Sequence, residues 1–252
     1  DLDDRFGARL EFGTAGLRGR LGAGSNRMNR VLVSQAAAGF AAYLREKAGP
    51  GAVPTVVVGY DGRRNSDVFA ADSAAIFAGA GLRAVLLPRL LPTPVLAFAV
   101  RHLDAAAGVM VTASHNDNGW TGVKMGCDRP VTFGPEEMGR LKEIVLAGAY
   151  DLPGGGSYRF HEGFAETYIA DLTARPRLSR RLKVVAACGN GTAGAFAPRI
   201  LEALGCEVIP LDCELDHSFP RYNPNPEDME MLHAIAAAVR SHGADVGLGF
   251  DG

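Results

Sequence analysis

Ala105-Ala106-Ala107-Gly108-Val109-Met110-Val111 runs directly into Thr112-Ala113-Ser114-His115-Asn116, and this junction decides the fold. A short apolar run bounded by turn residues is what a strand buried on both faces requires. The polar residues after it place a serine hydroxyl at the strand's carboxyl end, where open α/β sheets hold their ligands. Asn118, Gly119, Trp120, Thr121 and Gly122 are expected not to continue a strand. Ser114 reads as a nucleophile or phosphate carrier, or else as a loop serine capping nearby backbone groups.

On either side of this junction, strands and helices alternate. An apolar stripe of Leu32, Val33, Ala36, Ala37, Phe40 and Leu44 predicts a helix from about Asn29 to Lys47. A β-branched strand follows at Thr55 to Gly59, then a helix from about Asp67 to Ala80, capped by Asn65 or Ser66. Leu82 to Leu87 is the next strand and Val95 to Leu103 the next helix, set off by Leu91-Pro92-Thr93-Pro94. Beyond the serine, short strands are expected at Val123 to Met125 and Val131 to Phe133, then a helix from Gly134 to about Leu146. The Pro- and Gly-rich Asp151 to Ser157 marks a boundary. After it come helices near Gly163 to Ala174, Gly194 to Leu204 and Glu227 to Arg240, and strands at Leu182 to Ala187, Glu207 to Leu211 and Asp245 to Phe250. The expected fold is two consecutive three-layer α/β domains with mostly parallel sheets, residues 1–152 and 153–252.

A chain of 252 residues that is 47% hydrophobic can bury two such cores. Its 26 basic and 28 acidic residues are mixed, with a net charge of −2, which gives no general attraction to nucleic acid or an anionic membrane. A small soluble ligand fits better. Cys127, Cys188, Cys206 and Cys213 form neither a CxxC pair nor zinc spacing, so reduced thiols and a reducing compartment are expected. No apolar stretch reaches the roughly 18 to 20 residues of a membrane span, and the acidic start is unlike a signal peptide. The cytoplasm is the expected location.

Three glycine-bearing stretches each read two ways. Glu11 to Arg20 offers accessible backbone N–H groups with Arg18 and Arg20, which suits phosphate, or it is a plain glycine-rich connection. Tyr60-Asp61-Gly62-Arg63 puts two charged residues at a strand end, or is an ordinary turn with a surface arginine. Gly189-Asn190-Gly191-Thr192-Ala193-Gly194, with Asp212 after the next strand, matches the dinucleotide fingerprint. Only Cys213 to Gly252 follow that acid, too little for a complete dinucleotide fold, so tight turning and helix–strand packing is the preferred reading.

In chain order, Gly13-Thr14-Ala15-Gly16-Leu17-Arg18-Gly19, Asp61-Gly62-Arg63, Pro92-Thr93-Pro94, Thr112-Ala113-Ser114-His115-Asn116, Gly122-Val123-Lys124 and Cys188-Gly189-Asn190-Gly191 resemble the α-D-phosphohexomutase family. Its serine loop reads Ala-Ser-His-Asn-Pro, two variable residues, Tyr-Asn-Gly, one residue and Lys. The spacing is kept here, while Asp117 replaces the proline, Trp120 the tyrosine and Thr121 the asparagine.

The resemblance implies that Ser114 carries a phosphoryl group, gives it to a sugar monophosphate and recovers one from a sugar bisphosphate intermediate. It implies that Lys124 transfers a proton at the sugar hydroxyl and that Arg18 approaches the phosphoserine. His115 would shape the serine loop, and Thr14, Arg18 and Lys124 would bind phosphate. Mg²⁺ would be held by Ser114 and Asp251. The family's metal loop has three aspartates, of which Asp251 is the one within Gly247 to Gly252. The sugar-recognition and carboxyl-terminal phosphate-binding domains are not among these 252 residues. The expectation is the amino-terminal two domains of a glucose or mannose phosphate mutase, binding Mg²⁺ weakly and not turning over alone. A phosphopentomutase and a non-catalytic sugar-phosphate-binding module are the alternatives. A serine hydrolase fits poorly, since no GxSxG elbow surrounds Ser114.

Overall fold

The computed structural model describes residues 1–13, 16–127, 131–174 and 178–252. They divide into two units, Asp1–Ala113 with Gly119–Glu162, and Ser114–Asn118 with Gly163–Gly252.

The first unit contains, in order, α1 (Leu2–Phe6), β1 (Phe12–Gly13), β2 (Gly16–Arg20), α2 (Arg30–Ala48), β3 (Thr55–Tyr60), α3 (Ser66–Gly79) and β4 (Arg83–Leu86). It continues with α4 (Thr93–His102), β5 (Ala107–Val111), β6 (Trp120–Cys127), β7 (Val131–Thr132), α5 (Pro135–Ala147) and β8 (Ser157–Phe160). Among the described residues the strands make one sheet in the order β1-β2-β6-β5-β3-β4-β8, with β7 against β6. The run β5-β3-β4-β8 is parallel and carries the α/β alternation. The β1-β2-β6 flank is antiparallel to its neighbours.

Helices α2, α3 and α5 cover one face and α4 the other, which gives three layers. Phe40 is the hub of the larger core: fully buried, it meets Phe77 and Phe133 edge-on at 6.1 and 5.4 Å. On the opposite face Gly59 and Gly108 let α4 settle close. A Cβ on Gly108 would lie 2.6 Å from the Val100 Cγ2.

Helix α2 starts where its stripe meets a cap. The Asn29 carboxamide accepts from the Leu32 N–H at 3.1 Å and donates to the carbonyls of Gly22, Gly24 and Arg27. Asn29→Ala is expected to cost about 1–2 kcal/mol, seen as a lower urea midpoint at unchanged slope.

The second unit holds α6 (Phe164–Thr173), β9 (Lys183–Ala187), a 3₁₀ turn at Thr192–Ala195, α7 (Ala197–Ala203), β10 (Glu207–Leu211), α8 (Met229–His242) and β11 (Val246–Gly249). Its sheet is parallel, in the order β10-β9-β11. Helix α8 buries Met231 and Ile235 against it, and Gly247 leaves the room: a Cβ there would sit 2.3 Å from the Ile235 Cγ2.

Four expectations change. Among the described residues of Glu11 to Arg20, Phe12–Gly13 and Gly16–Arg20 pair as β1 and β2 rather than forming a plain connection, and Gly16 admits a neighbouring backbone. Gly16 has φ +144°, and a Cβ on it would fall 1.8 Å from the Val123 carbonyl oxygen. Trp120, Thr121 and Gly122 do belong to a strand, because the chain reverses after the serine and returns as β6. The helix expected from Gly194 is split at Phe196 into a 3₁₀ turn and α7. Finally, Ser157–Phe160, where no strand was expected, pairs with β4 in the compact unit that extends to Glu162.

Candidate functional site

Ser114 lies three residues beyond the end of β5 with φ 57°, a left-handed conformation that costs a non-glycine residue on the order of 1 kcal/mol or more. Its hydroxyl donates to Asp251 Oδ2 at 3.0 Å. The His115 Nδ1 lies 3.5 Å from the same oxygen. Asp251 follows β11, so the carboxyl end of this strand delivers the carboxylate to the serine turn. A carboxylate that accepts a serine proton raises the nucleophilicity of the serine oxygen.

The turn is also held from the long connection between β10 and α8. Residues 212–228 form no helix or strand, and ordered loops longer than about 12–15 residues are usually functional. Tyr222 is buried, and its hydroxyl donates to Asp212 Oδ2 at 2.5 Å; Arg221 reaches the same carboxylate at 3.1 Å. Burial first, then the Asp212 carboxylate, pushes the Tyr222 phenol well above its ordinary pKa, so it stays a donor. The next residue, Asn223, donates from its Nδ2 to the backbone carbonyl of His115. Its Oδ1 is buried without a hydrogen-bond partner among the described residues, a cost of about 1–3 kcal/mol. The Pro224 carbonyl accepts from the Gly252 N–H at 2.9 Å. One segment thus bears on both Ser114-His115 and Asp251-Gly252. Asn223 is the contact of the serine turn that sequence reading missed. Its signal is the proline-punctuated Phe219-Pro220-Arg221-Tyr222-Asn223-Pro224-Asn225-Pro226, too rigid for a mere linker.

The Gly189 to Gly194 motif serves packing here. A Cβ on Gly191 would lie 2.9 Å from the Gly252 Cα, and one on Gly194 would lie 2.0 Å from the Cys213 carbonyl oxygen. Asp212, the acid of the fingerprint, is occupied by Tyr222 and Arg221.

In the first unit, Asp61 and Arg63 are both buried, which replaces the expected surface arginine with an internal ion pair. Asp61 Oδ1 accepts from the Ser66 hydroxyl at 2.7 Å and the Arg63 N–H at 3.0 Å, and the Thr112 side chain also bonds the carboxylate. Arg63 Nε lies 3.6 Å from Asp61 Oδ2, and Arg63 Nη1 lies 3.4 Å from the Trp120 carbonyl. The cluster ties together the carboxyl ends of β3 and β5 and the start of β6. Burial outweighs these bonds and raises the Asp61 pKa.

Register places Arg18 and Lys124 on one sheet face. Gly16 pairs with Lys124, Arg18 with Gly122 and Arg20 with Trp120, and paired residues share a face. Arg18, Arg20, Trp120 and Lys124 therefore line one side of β2 and β6, with the Arg20 guanidinium 5.9 Å from the Trp120 ring centre. Lys124 borders a cleft with Thr93, Leu96 and Met110. A basic strip with an aromatic plate is suited to phosphate and a sugar ring. Of the residues singled out in the sequence, Ser114, His115 and Asp251 meet in the second unit, and Arg18 and Lys124 share the strip in the first. Thr14 lies outside the described residues.

The Asp251 carboxylate and the Ser114 oxygen are hard donors that suit Mg²⁺. Alone they would give that ion only part of its oxygen ligands, since the described residues contain no group of three or more His, Cys, Asp or Glu placed to hold a metal. No described helix is long and apolar enough to cross a membrane.

Two family models match this chain: "Phosphoglucomutase/phosphomannomutase, alpha/beta/alpha domain I" over residues 9–151 and "alpha/beta/alpha domain II" over residues 164–252. A Haemophilus influenzae protein named "Probable phosphomannomutase" is 40% identical over 233 residues, covering 86% of this chain and 47% of that protein. A Pseudomonas putida phosphomannomutase/phosphoglucomutase is 37% identical over 199 residues, covering 79% of this chain and 42% of its own length. The solved structure of a phosphoglucomutase/phosphomannomutase family protein from Burkholderia thailandensis superposes with a TM-score of 0.87 at 28% identity, over 97% of this chain and 53% of that one. The chain spans about half the length of the curated relatives it matches. With both domain models in tandem on this fold, the chain belongs to the phosphoglucomutase/phosphomannomutase family, of which it carries the first two α/β/α domains.

Proposed function

We propose that these two domains are the phosphoserine half of a cytoplasmic phosphosugar mutase interconverting glucose or mannose 1-phosphate and 6-phosphate through a sugar bisphosphate. The observation that carries this reading is Ser114 itself: a strained turn serine whose hydroxyl is held 3.0 Å from the Asp251 carboxylate. Ser114 Oγ attacks a phosphoryl group on the sugar bisphosphate, the P–O bond to the sugar breaks, and the released hydroxyl takes up a proton. The reverse transfer to the other end of a reoriented sugar completes the interconversion.

In this reading Lys124 exchanges the proton at the sugar hydroxyl, and Arg18 with Lys124 and Thr14 binds phosphate. A phosphoserine carries about −1.5 to −2 charge, and beside Asp251 that charge calls for a cation. Mg²⁺, held in part by Asp251 and the seryl phosphate, would supply that neutralisation when bound. His115 and Asn223 set the turn's shape, His115 through its contact with Asp251 and Asn223 through its bond to the His115 carbonyl.

Asn223→Ala is expected to lower phosphoryl transfer to and from Ser114 about fivefold, in kcat rather than KM, because roughly 1 kcal/mol of orientation is lost. Steady-state kinetics on a chain extended to the family's full length measures the split. An unchanged kcat would remove Asn223 from the site. Phosphosite mapping separates a mutase from a binding module that uses the same scaffold, since only the mutase carries phosphate on Ser114.

A further inference from the structure

Cys188 and Cys213 follow the neighbouring strands β9 and β10, and their sulfurs are 3.5 Å apart. Cys188 is fully buried, whereas Cys213 is only partly covered and reachable from solvent. The loops that carry them are fastened together: the Asn190 N–H donates to the Asp212 carbonyl at 2.7 Å, and its Nδ2 donates to the Glu214 carbonyl at 2.8 Å. These bonds grip the chain on both sides of Cys213, so the two sulfurs stay close without chain motion. A disulfide needs them at about 2.05 Å, a closure within reach of side-chain rotation and a small loop shift.

We propose that Cys213 and Cys188 form a reversible thiol-oxidation site for hydrogen peroxide, with Cys213 the reacting sulfur and Cys188 the resolving one. The hydrogen bond to Cys188 brings the Cys213 thiol down to about 7, whereas the same contact and burial push Cys188 up. Of the two sulfurs Cys213 is thus the one nearer to ionising and the one solvent reaches, and these two properties together select the site of attack.

The Cys213 thiolate attacks one peroxide oxygen, the O–O bond breaks, and water leaves after protonation, giving a sulfenic acid. The Cys188 sulfur then attacks the Cys213 sulfur, the S–O bond breaks, and the departing hydroxide takes the Cys188 proton as a second water. Two thiols are oxidised by two electrons in total and one peroxide is reduced; an external dithiol reverses the bond. Because Gly189–Gly191 begins beside Cys188 and Gly191 packs on Gly252, closure would shift the loop on which the Asp251-Gly252 end rests.

The test is to expose the purified 252-residue chain to hydrogen peroxide, alkylate it and map the peptides. The expected result is loss of two of the four thiols, a Cys188–Cys213 linked peptide, alkylation retained at Cys127 and Cys206, and full recovery with dithiothreitol. Four retained thiols, a link to Cys127 or Cys206, or irreversible oxidation of Cys213 with no link would each overturn the proposal. In Cys188→Ser, dimedone should trap Cys213 as a stable sulfenic acid; if that variant does not fold, the wild-type peptide map alone still decides.

Discussion

Ser114→Ala is expected to abolish phosphoryl transfer, by roughly 10⁴-fold or more, as removal of a covalent nucleophile does. The variant should also lose any serine-borne phosphate. The comparison that gives this result meaning is Ser114→Gly. Ser114 has φ 57°, which glycine adopts without strain, so glycine removes the nucleophile while relaxing the turn. A serine that merely caps the loop would be replaced well by glycine, and activity would survive. A carrier cannot be replaced by either residue. Activity of the chain extended to the family's full length, measured alongside thermal stability, separates the two.

Asp61→Ala is expected to destabilise the first unit by about 3–5 kcal/mol, the usual cost of leaving one member of a buried ion pair without the other. Arg63 is 7% exposed and Asp61 3%, so water would not replace the lost carboxylate. Ser66 would lose its acceptor, and the Arg63 turn its backbone anchor. The loss should appear as a lower urea midpoint. The pH dependence has a definite sign. Burial raises the Asp61 pKa above its ordinary value of 3.8, so the folded chain holds this proton more tightly than the unfolded chain does. The stability contributed by that proton is complete below the ordinary carboxylate value and fades as pH rises through the folded one. Asp61→Asn removes the titration, so the advantage of wild type over Asp61→Asn should be larger near about pH 4 than near pH 7.

The parallel heart of both units was legible because its code is local. Ala107–Val111 is buried along its whole length and Glu207–Leu211 is bounded by turns, so length and composition sufficed. Ser114, His115 and Asp251 could be picked out as candidates because they follow strands, at whose carboxyl ends open α/β sheets hold ligands, and because of the family resemblance. What escaped depended on pairing between distant segments. Gly16 and Gly122 look like turn residues, yet their bare backbones are what allow β2 and β6 to approach. Ser157–Phe160 is exposed at a sheet edge and has no buried pattern to declare it a strand. Arg63 was expected in water because its partner lies two residues away in a turn, and only the fold around Ser66 and Thr112 buries them. Asn223 acts through a backbone carbonyl more than a hundred residues upstream, which no spacing in the chain reveals.

The proposed mutase reaction turns on the phosphate carried by one hydroxyl. Incubation with a hexose 1,6-bisphosphate and Mg²⁺, followed by intact mass and fragment mapping of the chain extended to the family's full length, tests this most directly. The expected result is a single added phosphate located on Ser114. An unmodified Ser114, or phosphate on another residue with Ser114 intact, would contradict it.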